Sequence, residues 1–337
     1  MASTVYDIAK AASVSTTTVL RALWDKDDIK PETRERILKL AAEMSYRPNL
    51  VARSLTMGSS RFVGMIVTPA VSSTYAASIG LVVRTVRKAG YATLCYTTDG
   101  RPDSERMCLD QLASARVAAA IVIPEADTRN VKIYQELVDS GMKLVVAHSC
   151  IEGLRAPQVV GDNYQVTYRA ARYLISLGHT DIVYLAIPQD CFLGRERARG
   201  FRDALMEAGI SVSPSSLVTC GHSEEAGRKA MTAVLQRKRI PTAVIARHDT
   251  VAMGVMRAVF AAGLSIPDDI SLIGNSDIEV ADLLRVPLTT VHHPAGEVAR
   301  IAIKKLVSML EGEKQELGVT KLDVELIIRA SCGAPKK

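Results

Sequence analysis

The amino-acid sequence predicts a small all-α head, a short hinge helix and a larger α/β core of two lobes. Three observations carry this. Residues 4–46 hold three amphipathic runs, each opened by a helix-start signal. From Arg61 onward, short β-branched runs alternate with helical stretches in two successive series, the pattern of parallel sheets covered by helices. Hydrophobic residues fill 48% of the 337 positions and aromatics only 4%, which suits layers packed from Ala, Val, Ile and Leu. A chain of this length holds two or three domains, here a head over 1–48, a hinge helix and linker over 49–60, and a core over 61–337.

In the head, Thr4 caps a helix that begins at Val5, with Asp7 in its favourable first turn. Ile8, Ala9 and Ala12 form its inner stripe. Ser13-Val14 makes the turn, and Ser15 caps a second helix, TTTVLRAL, with Val19, Leu20 and Leu23 on its apolar face. A third helix follows Lys30, with Pro31 at its first position and Ile37, Leu38, Ala41 and Met44 expected to face inward. In a helix-turn-helix, the N-terminal residues of the second helix meet base edges in the major groove. Here they are Thr16 and Thr17, with Arg21 one turn on. Threonine offers a hydroxyl to a base and a methyl to thymine, and arginine pairs bidentately with guanine. Ser15, Thr18 and the amides at this helix start suit phosphate contacts. On these helices alone, a three-helix domain with a polar cap cluster and no DNA role remains an alternative.

The next segment discriminates. Tyr46-Arg47-Pro48-Asn49 ends the third helix, and Leu50 to Met57 forms a short helical stretch closed by Gly58. A helix this short is marginal in water, so it is expected to form only when two copies pack on DNA. Val51, Ala52 and Leu55 share one face, and a protruding leucine of this kind can wedge a base step open from the minor groove. Net charge is a weaker signal. Residues 1–60 hold nine Lys/Arg and seven Asp/Glu, +2 of the total +6, so bulk charge does not single out this end.

In the core, strands are expected at 62–68, 91–97, 118–124, 143–149, 181–188, 242–247 and 270–276. DIAKAASVSTTTV, the IKPETRERI stretch and YRPNLVARSL resemble the lactose/galactose repressor (LacI/GalR) family of bacterial transcription regulators, and the resemblance extends over essentially the whole chain. It implies a homodimer on duplex operator DNA of pseudo-palindromic sequence, contacted by Tyr6, Ser15, Thr16, Thr17, Thr18, Arg21, Asn49, Val51, Ala52 and Leu55, with Leu55 as the lever. STTTV is similar to the purine-repressor branch of the family and implies a related half-site, although Thr56 stands where that branch has lysine. The core is implied to be periplasmic-binding-protein-like, with lobe one at about 61–161 and 292–319 and lobe two at about 162–291 and 320–331. No leucine-heptad extension follows residue 331, so a dimer is expected rather than a tetramer.

Ligands of such sheets sit at the C-terminal ends of strands, here between lobes. By the same resemblance the small-molecule effector is held by Tyr75, Asp162, Arg197, His248, Asp249, Ser276 and Asp277. Arg197 in GRERARGF is the arginine that grips a carboxylate, phosphate or hydroxyl pair. ARHDTVAMG puts His248 and Asp249 at the pocket rim. Asp162 in VVGDN has an equal claim to a structural role. Two departures stand out. Ser276 replaces a carboxylate that pairs with sugar hydroxyls in the family, and Ala70 and Thr74 replace an acidic residue and a proline. Losing a carboxylate beside a retained arginine moves the expectation from a neutral sugar toward a sugar acid or sugar phosphate, with a purine as the alternative ligand.

Other classes find no support in the sequence. Six scattered cysteines without CxxC spacing read as reduced, packed thiols. His292 and His293 are adjacent, so on a strand they point to opposite faces and make poor joint ligands. No metal or cofactor is expected. GxGxxG, GxxxxGK[ST] and GxSxG are all absent, which removes the motif basis for an enzyme. No apolar run reaches membrane-spanning length and MASTVYDIAK has no export-signal character, so the expectation is a cytoplasmic regulator rather than an exported solute-binding protein.

Overall fold

The computed structural model describes residues 3–24, 28–46, 60–68, 73–98, 101–124 and 129–336, the side chains of 73–77 excepted. The chain divides into two compact units, Met1–Arg61 and Phe62–Lys337.

The first unit is three helices: α1 (Val5–Ala11), α2 (Thr16–Leu23) and α3 (Pro31–Glu43). Thr4 and Asp7 form a reciprocal capping box on α1, and Ser15 accepts from the Thr18 amide on α2, so both starts obey the expected cap chemistry. Ile8, Val19 and Ile37, one from each helix, are fully buried at the centre. Leu38 departs from expectation: it is 47% exposed. Ile37 and Ala41 lie four apart on the inward stripe, and Leu38, one residue on, turns about 100° away from it. Ala22, by contrast, is buried although it lies outside the expected apolar face.

The second unit contains two six-stranded sheets. In lobe one, β1 (Phe62–Val67), β2 (Ala92–Thr97), β3 (Ala119–Val122), β4 (Lys143–Ala147), β5 (Pro157–Gly161) and β11 (Gly318–Leu322) run in the order β11-β5-β4-β3-β1-β2, all parallel. In lobe two, β6 (Ile182–Ala186), β7 (Leu217–Thr219), β8 (Ala243–Ala246), β9 (Ser271–Ser276), β10 (Thr289–His292) and β12 (Glu325–Ile327) run in the order β12-β10-β9-β8-β6-β7. Only β12 is antiparallel to its neighbour. The seven expected strands are present, each trimmed by a residue or more at its ends. β5, β7, β10, β11 and β12 are additional as strands. β11 pairs with β5 along its whole length, so lobe one runs through Leu322, past the expected boundary at 319.

Alternation along each strand feeds two cores per lobe. Val63, Met65 and Val67 of β1 pack against Val82 and Val86 of α4 (Ser73–Lys88) and Val298, Ala302 and Leu306 of α11 (Ala295–Leu310). Ile66 faces the other way, toward Leu109 and Leu112 of α5 (Pro102–Ser114) and Tyr134 of α6 (Val131–Asp139). Lobe two repeats the scheme. α7 (Asn163–Ser176) and α8 (Phe192–Glu207) cover one face; α9 (Glu224–Leu235) and α10 (Asp249–Ala261) cover the other. Gly254 lets the last two approach closely: a Cβ there would run into the Glu224 carbonyl oxygen and the Arg228 amide.

Three segments cross between lobes: β5 to α7, β10 to α11, and β11 to β12. Each leaves the C-terminal end of a parallel strand. The C-terminal edges of the two sheets therefore face one another, with the crossings between them.

Candidate nucleic-acid interface and ligand cleft

In the head, Thr17 and Arg21 are exposed one turn apart on α2, while Val19 and Ala22 are buried on its other side. Thr17 and Arg21 thus share an outward face by i,i+4 geometry. Thr16 is half-buried beside them. Ser15 Oγ lies 2.9 Å from Thr18 Oγ1 and accepts from the Thr18 amide at 3.1 Å, so these two hydroxyls shape the helix start. Arg21 is ion-paired with Asp28, its Nε donating at 3.2 Å. Both side chains are about half exposed, and a pair in water contributes at most about 1 kcal/mol, so engaging a base instead costs little. Tyr6 presents its ring to solvent at 77% exposure. Thr4 bonds hold the Asp7 carboxyl below its ordinary value, which keeps the box charged at neutral pH. Asn49, Val51, Ala52 and Leu55 lie outside the described residues.

In the core, several polar groups meet at the C-terminal edge of the lobe-two sheet. Arg197, on α8, is only 2% exposed. Its Nε donates to Asn163 Oδ1 at 2.9 Å and its Nη1 to the Arg247 carbonyl at 3.0 Å. Arg247 follows β8 directly; its Nη1 donates to the Cys220 carbonyl, and its buried Nε meets no acceptor. Asn275 of β9 is buried and donates through Nδ2 to the same Arg247 carbonyl at 3.2 Å, which leaves its Oδ1 without a donor. The Tyr184 hydroxyl is buried beside both guanidinium groups, and burial raises its pKa.

His248 is partly exposed at the start of α10. Burial, and then the charges of Arg197 and Arg247, hold its pKa well below the ordinary value, so it is a neutral hydrogen-bonding group at physiological pH. Burial likewise lowers Arg247 from its usual value. At the crossings, buried His293 lies over Gly161, where any Cβ would meet the imidazole, and its ring centroid is 6.4 Å from that of His148. An apolar recess lined by Met65, Ile79, Val82, Ile121 and Ala147 adjoins His148 on the lobe-one side.

Several expected ligand-contacting residues are placed differently. Asp249 is not at a rim but 0% exposed: Oδ1 accepts from Thr290 at 2.6 Å and Oδ2 from the Ile278 amide at 2.9 Å. Burial raises its pKa, and both oxygens are spent inside the lobe. Asp277 is committed to Arg329 at 2.7 Å and His292 at 3.2 Å. Ser276, at φ 127, and Asp277, at φ 53, form the bend that turns the chain away after β9. Asp162 caps α7, accepting from the Gln165 amide at 3.3 Å. The side chain of Tyr75 lies outside the described residues. Arg247 and Asn275, outside the expected set, are the residues that converge with Arg197 at this edge. Their signal in the sequence is slight: a charged residue closing an apolar strand, and an Asn between Gly274 and Ser276.

A helix-turn-helix head and two facing sheet edges with a polar floor define a two-part regulator, one part for DNA and one for a small molecule. Residues 4–49 match the family described as bacterial regulatory proteins, lacI family, and residues 171–332 match a periplasmic binding protein-like domain. The HTH-type transcriptional repressor PurR of Vibrio parahaemolyticus serotype O3:K6 (strain RIMD 2210633) is 32% identical over 335 residues, covering 97% of this chain and 98% of that one. The HTH-type transcriptional repressor CytR of Escherichia coli (strain K12) is 30% identical over 333 residues, covering 99% and 97%. A Lac repressor dimer bound to operator and the anti-inducer ONPF shares the fold, with a TM-score of 0.87 at 23% identity, covering 99% of this chain and 100% of that one. The chain belongs to the LacI family of bacterial transcriptional regulators. Among the described residues no helix is long and apolar enough to cross a membrane.

Proposed function

We propose that the chain is a cytoplasmic repressor that binds a pseudo-palindromic operator as a homodimer and senses a small metabolite between its lobes. Thr17 and Arg21 on the outward face of α2 carry this reading. They are a hydroxyl-methyl group and a guanidinium at the helix start, where base edges are met. Thr16 reads the half-site with them, Tyr6, Ser15 and Thr18 are further DNA contacts, and Asn49, Val51, Ala52 and Leu55 contact DNA from the hinge, with Leu55 as the lever. The effector is a sugar, sugar acid or sugar phosphate gripped by Arg197 beside His248. A purine-type ligand is the second reading, favoured by identity to repressors named PurR. Coupling between ligand and operator is reciprocal and on the order of 1–3 kcal/mol.

The test is operator selection from random DNA, followed by titration of wild type and Thr17→Ala. Thr17→Ala weakens the selected site by about 1–3 kcal/mol per affected base pair and leaves random-sequence binding intact. Equal loss on both DNAs removes Thr17 as a reader.

A further inference from the structure

We infer that the cleft takes a small organic anion, a carboxylate or phosphate ester with a neighbouring hydroxyl or N–H, and that Arg247 selects it together with Arg197. This rests on the regulator reading above and narrows its ligand. Arg197 and Arg247 stand close enough for one to donate to the other's carbonyl at 3.0 Å. Neither forms an ion pair with any carboxylate among the described residues. The acids beside them are spent: Glu196 on Arg199 and Lys321, Asp249 on Thr290 and the Ile278 amide, and, after β9, Asp277 on Arg329 and His292. Two like charges at a sheet edge with no counter-charge are costly to desolvate, and a neutral ligand that seals the cleft makes that cost larger. An oxyanion removes it, and the fork geometry of guanidinium fits a carboxylate or phosphate.

The unmet groups specify the rest. Arg247 Nε is a buried donor with nothing to give to, which suits an oxygen of the anion. The Asn275 amide is fixed in its sense because its Nδ2 donates to the Arg247 carbonyl, so the unmet atom is an acceptor, Oδ1. It calls for a donor on the ligand close to the anionic group. His248, neutral and partly exposed, adds a group able to donate or accept. An inorganic anion without a proton to give satisfies the guanidinium groups alone, whereas a hydroxy acid, sugar phosphate or nucleotide satisfies all of them.

The full chain is titrated calorimetrically with matched pairs: gluconate against glucose, ribose 5-phosphate against ribose, adenosine 5′-monophosphate against adenosine, and inorganic phosphate alone. The expected result is binding of at least one anion, with its neutral partner about tenfold weaker or more. Arg247→Met loses that anion by about tenfold or more, while Arg247→Lys, which keeps the charge, loses less. A cooperative thermal transition in both variants separates lost binding from lost fold. A neutral partner that binds as tightly as its anion overturns the inference, as does wild-type affinity in Arg247→Met, or silence from every probe. If instead a neutral ligand shifts operator affinity through Arg197, the regulator reading stands and the anion assignment alone falls. If no operator can be selected, the regulator reading falls whatever the anions do.

Discussion

Acid should weaken the core far more than the head, through the two imidazoles buried at the lobe crossings. His148 follows β4 and His293 follows β10, and burial lowers both from 6.5 to about 3. His293 is pushed further by His148, Arg197 and His292. A base whose pKa falls on folding binds fewer protons in the native state than in the unfolded one. Its stability contribution is therefore intact above pH 6.5 and is lost as pH falls from there toward 3. Each imidazole imposes a slope of about 1.4 kcal/mol per pH unit in that window, so pH 5 costs about 2 kcal/mol apiece and roughly 4 for the pair. That is a large share of a stability of about 5–15 kcal/mol. His179 and His248, also lowered by burial, act in the same direction. The carboxylates of Glu225 and Asp269, held below their usual range by Arg228 and Lys336, begin to lose their contribution only as pH falls through their ordinary values of 4.5 and 3.8, below pH 5.

The two units can be read separately. All six histidines lie beyond residue 147 and the one tryptophan is Trp24, so indole fluorescence reports the head and far-ultraviolet circular dichroism chiefly the core. Urea unfolding at pH 7.5, 6.5, 5.5 and 5 should give a falling dichroism midpoint and a nearly constant fluorescence midpoint. His148→Asn suits the left-handed backbone at φ 62. It and His293→Gln should each remove about 1.4 kcal/mol per pH unit from the core's slope. A wild-type slope in both variants would refute the assignment of acid sensitivity to these two rings.

Three further outcomes are expected. Gly254→Ala sets a Cβ against main-chain atoms of α9, which cannot step aside like a side chain, so the core should lose about 1–3 kcal/mol in urea unfolding. Tyr134→Phe removes the 2.8 Å bond to the fully buried Glu105 carboxylate, which Asn130 also supports. The expected loss is about 1.5–3 kcal/mol, with operator affinity unchanged in a binding titration. Leu55→Ala should reduce operator bending in a gel-phasing assay with the dimer retained; a full bend would remove Leu55 as the wedge.

The residues explain how far the sequence could be read. Caps are local chemistry, so Thr4, Ser15 and Pro31 announced their helices to the residue. The long central strands announced themselves by unbroken apolar runs. β7 and β12, three residues each, lack the length to rise above the loop pattern, and their strand state comes from the neighbours they pair with. Ligand-cleft assignments fared differently because burial is tertiary. Nothing local to ARHDTVAMG distinguishes a carboxylate facing a ligand from one facing Thr290, forty-one residues on. The same blindness hid Arg247, whose importance appears only when Arg197 and Asn275 converge on its carbonyl.

That convergence bears on how a ligand could be felt elsewhere in the core. The first turns of α8 reach across to lobe one in three ways. Phe192 packs with Cys150 and Val160, Arg195 donates to Glu152 at 3.0 Å, and Glu196 approaches Lys321 of β11 at 3.8 Å. Arg197 follows on the same helix and turns into lobe two. The ion pairs are partly exposed and are individually weak, whereas the Phe192 contact is buried and resists sliding. An interaction that draws Arg197 by a fraction of an ångström must therefore move, or be opposed by, the packing of Phe192 between the lobes. Phe192 and Arg197 lie on one helix, so under the proposed ligand role of Arg197, ligand grip and lobe contact become two readouts of one helix position.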